Sequence, residues 1–107
     1  MLRLEIKVLC FAVTLLFTAS AMATTGNELK QLADDGERVR FADGVFIGFV
    51  MGVAETGWSP APCVPTNATN GQYVEVVRKY LKDHPEELHL PATILIQKAF
   101  NKAWPCK

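Results

Sequence analysis

Two cysteines, each beside a proline, constrain this chain more than any other feature. Cys63-Val64-Pro65 opens the stretch and Trp104-Pro105-Cys106 closes it. Proline lacks an amide hydrogen and its ring clashes with the preceding turn, so a helix cannot run through either site. Between them lie two apolar patterns: Tyr73, Val74, Val76, Val77, Tyr80 and Leu81, then Ala92, Leu95, Ile96, Ala99, Phe100 and Ala103. Each pattern has the spacing of one helix face. A Cys63–Cys106 bond would tie the entrance of the first helix to the exit of the second, and an antiparallel pair brings those ends together. Closing a loop of that length stabilises by roughly 4 kcal/mol in the chain-entropy model, a large share of a small domain's total. Two free buried thiols are the alternative, and the compartment argues against them.

That compartment is read from Met1 to Ala23. Arg3 and Lys7 form a basic start, Val8 to Phe17 an apolar run, and Ala21-Met22-Ala23 a small-x-small cleavage site. This is the layout of a secretory signal peptide. The run is shorter than the ~20 residues a membrane span needs. Cys10 leaves with the signal, and no cysteine follows the cleavage site to carry a lipid. The expectation is an exported, periplasmic domain over residues 24–107, with no membrane attachment after cleavage. In an oxidising compartment, Cys63 and Cys106 are expected to pair. The sequence holds 11 basic and 11 acidic residues. No basic stripe marks it for nucleic acid.

Asn27 is a candidate cap for a first helix carrying Leu29, Leu32 and Ala33, which ends near Asp34-Asp35-Gly36. Few of its positions are apolar, so it reads as a weak helix. Ala42 to Gly57 is the second helix. Val45, Phe46, Ile47, Phe49, Val50, Met51, Val53 and Ala54 surround its axis, which predicts burial on all sides. Gly44, Gly48 and Gly52 form a smooth strip, expected to lie against another helix, so that a leucine at Gly48 would damage the fold. Trp58 falls in a stiff loop that contains three of the chain's prolines before Asn67. Thr69 and Gln72 have capping-box spacing for the third helix. Its polar face carries Glu75, Arg78, Lys79 and Lys82, with Glu75 and Lys79 in the favourable order for an ion pair. Asp83-His84-Pro85 stops it, Pro85 to Leu88 fits a single turn, and Pro91 suits the first turn of the fourth helix. On that last helix Ile94 falls among polar residues. The fold class is therefore all-α: four helices, within a range of three to five, stapled by one disulfide.

Catalytic and metal chemistry find little support. His84 and His89 with Glu86 and Glu87 between them resemble a metal cluster, but zincin ligands sit four apart on a helix. Here the separation is five and Pro85 interrupts, so no metal site is expected. Cys63 and Cys106 are accounted for by their bond. No phosphate loop, serine elbow or carboxylate pair is evident. The chain is not expected to be an enzyme or to need a cofactor.

Taken in order, several pieces resemble the Rap/Tai family of periplasmic immunity proteins, which protect bacteria against amidase toxins delivered by type VI secretion. They are Gly48-Phe49-Val50-Met51-Gly52-Val53, Cys63-Val64-Pro65, and the run from Gln72 to Leu81. His84-Pro85-Glu86, Leu90-Pro91-Ala92 and Ala103-Trp104-Pro105-Cys106 complete the set. Such proteins often carry a further cysteine pair joining the first helix to the second. Ala33 and Phe46 occupy those places here, so the first helix is expected to be held more loosely. The resemblance implies a small helical protein, often a homodimer, that binds a peptidoglycan amidase effector and occludes its active-site cleft. The partner surface is then expected on Glu75, Arg78, Lys79 and Lys82, on the His84–His89 loop, and at Ile94.

A reading from another class is a periplasmic acid-stress chaperone. As its carboxylates protonate the chain becomes strongly positive, which favours opening. Another small exported helical binding protein is the third reading.

Overall fold

The computed structural model describes residues 24–56 and 60–107. The segment expected to be a signal peptide and Trp58 lie outside the described residues. Four helices follow in order: α1 (Gly26–Asp35), α2 (Arg40–Ala54), α3 (Asn70–Asp83) and α4 (Ala92–Ala103), with a 3-10 turn at Pro85–Glu87 between the last two. The expected all-α architecture is observed. All four helices pack around one core whose largest fully buried side chains include Phe46, Leu29, Leu81, Leu95 and Ile96. Among the described residues no helix is long and apolar enough to cross a membrane.

The α3–α4 pair forms as the periodicity predicts. Thr69 and Gln72 make a capping box, in which the Thr69 N–H donates to the Gln72 Oε1 at 2.8 Å and the Gln72 N–H to the Thr69 hydroxyl at 3.2 Å. Val74, Val77, Tyr80 and Leu81 are buried on α3, and Ala92, Leu95, Ile96, Ala99 and Phe100 on α4. Ala103, expected on the same face, is exposed. The chain turns away one residue later, at Trp104. Pro91 sits just before the first helical residue rather than within the first turn. The Cys63–Cys106 disulfide closes the pair, with its Cα atoms 5.0 Å apart, well inside the range such a bond accepts. Beside it the Tyr73 ring meets Phe100 and Trp104 edge-on, each at 5.3 Å between centroids.

The first helix departs from expectation. Thr25, not Asn27, caps it: Glu28 N–H donates to the Thr25 hydroxyl at 3.4 Å, and the Thr25 N–H returns a bond to the Glu28 carboxylate at 2.8 Å. Leu29 is fully buried and Ala33 nearly so. The helix entrance is also tied to the segment before α4. Gly26 N–H donates to the Leu90 carbonyl at 2.7 Å, Asn27 N–H to Leu88 at 2.8 Å, and Ala92 N–H to Thr24 at 2.8 Å. At Gly26 a Cβ would lie 2.2 Å from the Leu95 Cδ1 and 2.8 Å from the Leu88 carbonyl oxygen, so only glycine allows this approach.

The second helix is buried on one side only. Ala42, Phe46, Val50 and Val53 face the core. At 3.6 residues per turn these share one stripe, which places Gly44, Gly48 and Gly52 on the opposite side. Nothing lies within 4 Å of a Cβ built at any of the three. Among the described residues no helix lies against the glycine strip, contrary to expectation, and a side chain added at Gly48 starts in open space. Phe41 and Val45 are exposed along the same side.

Candidate functional site

The polar face of α3 is less uniform than its sequence suggests. Glu75, Lys79 and Lys82 are exposed, whereas Arg78 is half-buried and holds three elements together. Its guanidinium donates to the Ala33 carbonyl of α1 at 2.9 Å and to the Asp43 carboxylate of α2 at 2.8 Å. It also lies over the Phe46 ring, 4.7 Å from the centroid. A planar fork with five donors and a flat face suits that combined task, which lysine could not perform. Glu75 reaches Arg78 at 3.4 Å instead of pairing with Lys79. Lys79 turns to Asp83 at 2.6 Å and holds that carboxylate below its ordinary range.

The loop after α3 is ordered by side chains that converge on Glu87. The Tyr80 hydroxyl donates to its carboxylate at 2.6 Å, and Lys98 of α4 binds the other oxygen. Lys98 first, and then Tyr80, favour the ionised carboxylate and lower its pKa. Burial, reinforced by Glu87, pushes the Tyr80 hydroxyl well above its usual range. His84 stacks on the Tyr80 ring with 4.1 Å between centroids. Its Nε2 lies 3.3 Å from the Lys102 Nζ, and its Nδ1 lies 3.1 Å from Glu86. With Nε2 accepting from the ammonium group, Nδ1 carries the proton that meets Glu86. Glu86 is itself held low, first by its own backbone N–H and then by His84.

These contacts divide the expected partner residues. His84 belongs to a fixed network, whereas His89 is exposed and takes no part in it. Ile94 is 40% exposed, as its place on the polar face predicts. The ligand atoms of His84, Glu86 and Glu87 lie within 4.8 Å of one another, so the grouping omits the His89 that made the sequence look metal-like. Tyr80 and Lys98 already satisfy Glu87. Tyr80, Lys98 and Lys102 were not singled out as site residues from the sequence. Lys98 is 11 positions from Glu87 and Lys102 is 18 from His84, which no local pattern reports.

A groove of about 230 Å³ between α3 and α4 is lined by Val76, Tyr80, Ala99 and Lys102 among others. A larger, open groove of about 490 Å³ lies on the other side of α3, lined by Asp43, Ile47, Glu75 and Arg78 among others. A family model described as Rap1a immunity proteins matches residues 25–106, from the cap of α1 to the second cysteine. No curated protein and no solved structure gives a significant match to the chain.

Proposed function

The chain belongs to the Rap1a immunity protein family, and from that premise we propose that it is a periplasmic immunity protein which binds and occludes a type VI secretion peptidoglycan amidase. The observation that carries the reading is the extent of the family match, which takes in all four helices and both cysteines. Inhibition by occlusion asks for a preformed surface, and no bond needs to be made or broken. A rigid edge binds better than a flexible one, because less conformational entropy is lost on association.

The contact surface in this reading is Glu75, Lys79 and Lys82 on α3, the His84–His89 loop, and Ile94 on α4. Arg78 supports that surface from beneath through its bonds to α1 and α2. His84 is oriented by Tyr80, Glu86 and Lys102, while His89 is exposed on the same loop. The protein acts as a homodimer, and no cofactor takes part.

Two measurements test the reading. A strain lacking the gene is challenged by siblings that fire their secretion system, and the purified protein is titrated into the peptidoglycan amidase those siblings deliver. Lysis of the deletion strain together with stoichiometric inhibition is the expected result. Survival equal to wild type, with an uninhibited amidase, would overturn it.

A further inference from the structure

The outer side of α2 is the largest feature that the proposed toxin contact leaves unused. Phe41 is 80% exposed and Val45 38% exposed. Single exposed apolar residues are ordinary, but these two share a stripe with Gly44, Gly48, Gly52 and Glu55. At 3.6 residues per turn the six fall within about 100° of the helix circumference, the width of a face that packs. Glycine in a solvated helix costs about 1 kcal/mol relative to alanine. Three on one exposed side are therefore destabilising in the monomer, unless another backbone approaches there. Small residues permit that approach, because helix axes close in where no side chain intervenes.

The two ends of the stripe carry opposite charges. Arg40 stands at the start of α2 and Glu55 just past its end. Among the described residues neither has an ion-pair partner. We propose that this face of α2 packs antiparallel against the same face of a second copy, about a two-fold axis at Gly48. The pairing rests on the homodimer in the reading above and gives it a surface. A two-fold contact requires each residue to meet its counterpart reciprocally. About Gly48, Gly44 of one copy lies level with Gly52 of the other. Phe41 covers the last turn of the opposing helix, and Arg40 lies beside Glu55. Opposed helix dipoles add to the attraction. A flat surface meets an equally flat one, and positive meets negative at both ends. That self-complementarity is why a second copy is the occupant rather than a foreign protein.

Sedimentation equilibrium on the full native protein tests this. Wild type should form a reversible dimer. Gly48→Leu should keep its far-UV circular dichroism, because the monomer has room, yet dissociate roughly 100-fold more readily, since both copies place volume on the axis. Arg40→Glu and Glu55→Lys should each weaken the dimer about 5-fold or less, and the double exchange should restore it. A wild-type dimer that these variants leave intact would overturn the assignment of the face while sparing the homodimer. A wild type that is monomeric at every attainable concentration would overturn both. Loss of amidase inhibition in Gly48→Leu with an unchanged dimer would show a foreign protein on this face and also overturn the proposal. Amidase inhibition by wild type is read separately, so failure of the immunity reading does not touch the result.

Discussion

The two halves of this molecule are fastened by different chemistry. The α3–α4 pair is closed by the Cys63–Cys106 disulfide and by an aromatic cluster of Tyr73, Phe100 and Trp104 beside it. The α1–α2 pair has no such bond. At Ala33 and Phe46, where the family resemblance would place a second cysteine pair, it is held by Arg78, which binds the Ala33 carbonyl and covers the Phe46 ring. The covalent fastener acts mainly by restricting the unfolded chain. The arginine acts only in the folded state, and its ionic contact weakens with salt. A clamp of the second kind also joins three helices where a cystine would join two, so the unstapled half depends on α3 for its position.

Removing each fastener separates the two kinds. Cys106→Ser should cost the most, about 2–5 kcal/mol for a small domain. Its midpoint should fall while its m-value rises, because the unlinked chain exposes more surface when unfolded, and urea unfolding with and without reductant measures both. Arg78→Met should cost about 2–3 kcal/mol, since charge-assisted bonds to Ala33 and Asp43 are lost and the carbonyl is left half-buried. Hydrogen exchange should then rise in α1 and α2 before it rises in α4. If exchange rises uniformly, the halves are not separable.

The glycines sharpen the contrast at smaller energies. Gly26→Ala should destabilise by about 1–3 kcal/mol, because its methyl group would enter the space of Leu95 and the Leu88 backbone. Gly48→Ala should instead stabilise the monomer, by up to ~1 kcal/mol through helix propensity. Thermal melts of the two at concentrations that keep the chain monomeric should move in opposite directions. The smallest effect belongs to the loop. Glu87 titrates lower in the folded chain than its ordinary value of 4.5 because Lys98 and Tyr80 favour the ionised form. The stability this contributes is present above that value and is lost as pH falls through the lowered one. A melting-temperature gap between wild type and Lys98→Met should be measurable at neutral pH and should close in acid. A gap that persists in acid would mean that Lys98 contributes packing and not charge.

What the sequence discloses follows the range of the interactions. The faces of α3 and α4, the Thr69 cap and the stop at His84-Pro85 all depend on residues within a few positions, and each is legible. The cysteine pairing is legible too, because so few thiols compete. Arg78 reads as one more cation on a polar face, since its partners lie 35 and 45 positions away. Gly26 carries no signal, because the side chain that excludes a Cβ belongs to Leu95. The glycine strip misleads for a different reason. An all-round apolar helix looks the same whether its second side is covered by the same chain or left outside it. Of the residues that look like a metal cluster in sequence, His84, Glu86 and Glu87 come together after Pro85 starts its 3-10 turn, while His89 is not among them.

The pairing of Thr25 with Pro91 also sets an order of events during synthesis. The backbone bonds of Thr24, Gly26 and Asn27 to the segment leading into the last helix cannot form until that segment has been made. At ~5–20 residues per second that interval is roughly 3–13 s. During it Leu29 and Ala33 have only α2 and α3 to bury against, and Gly26 has nothing to fit. The entrance of α1 is therefore among the last of the described parts to become native.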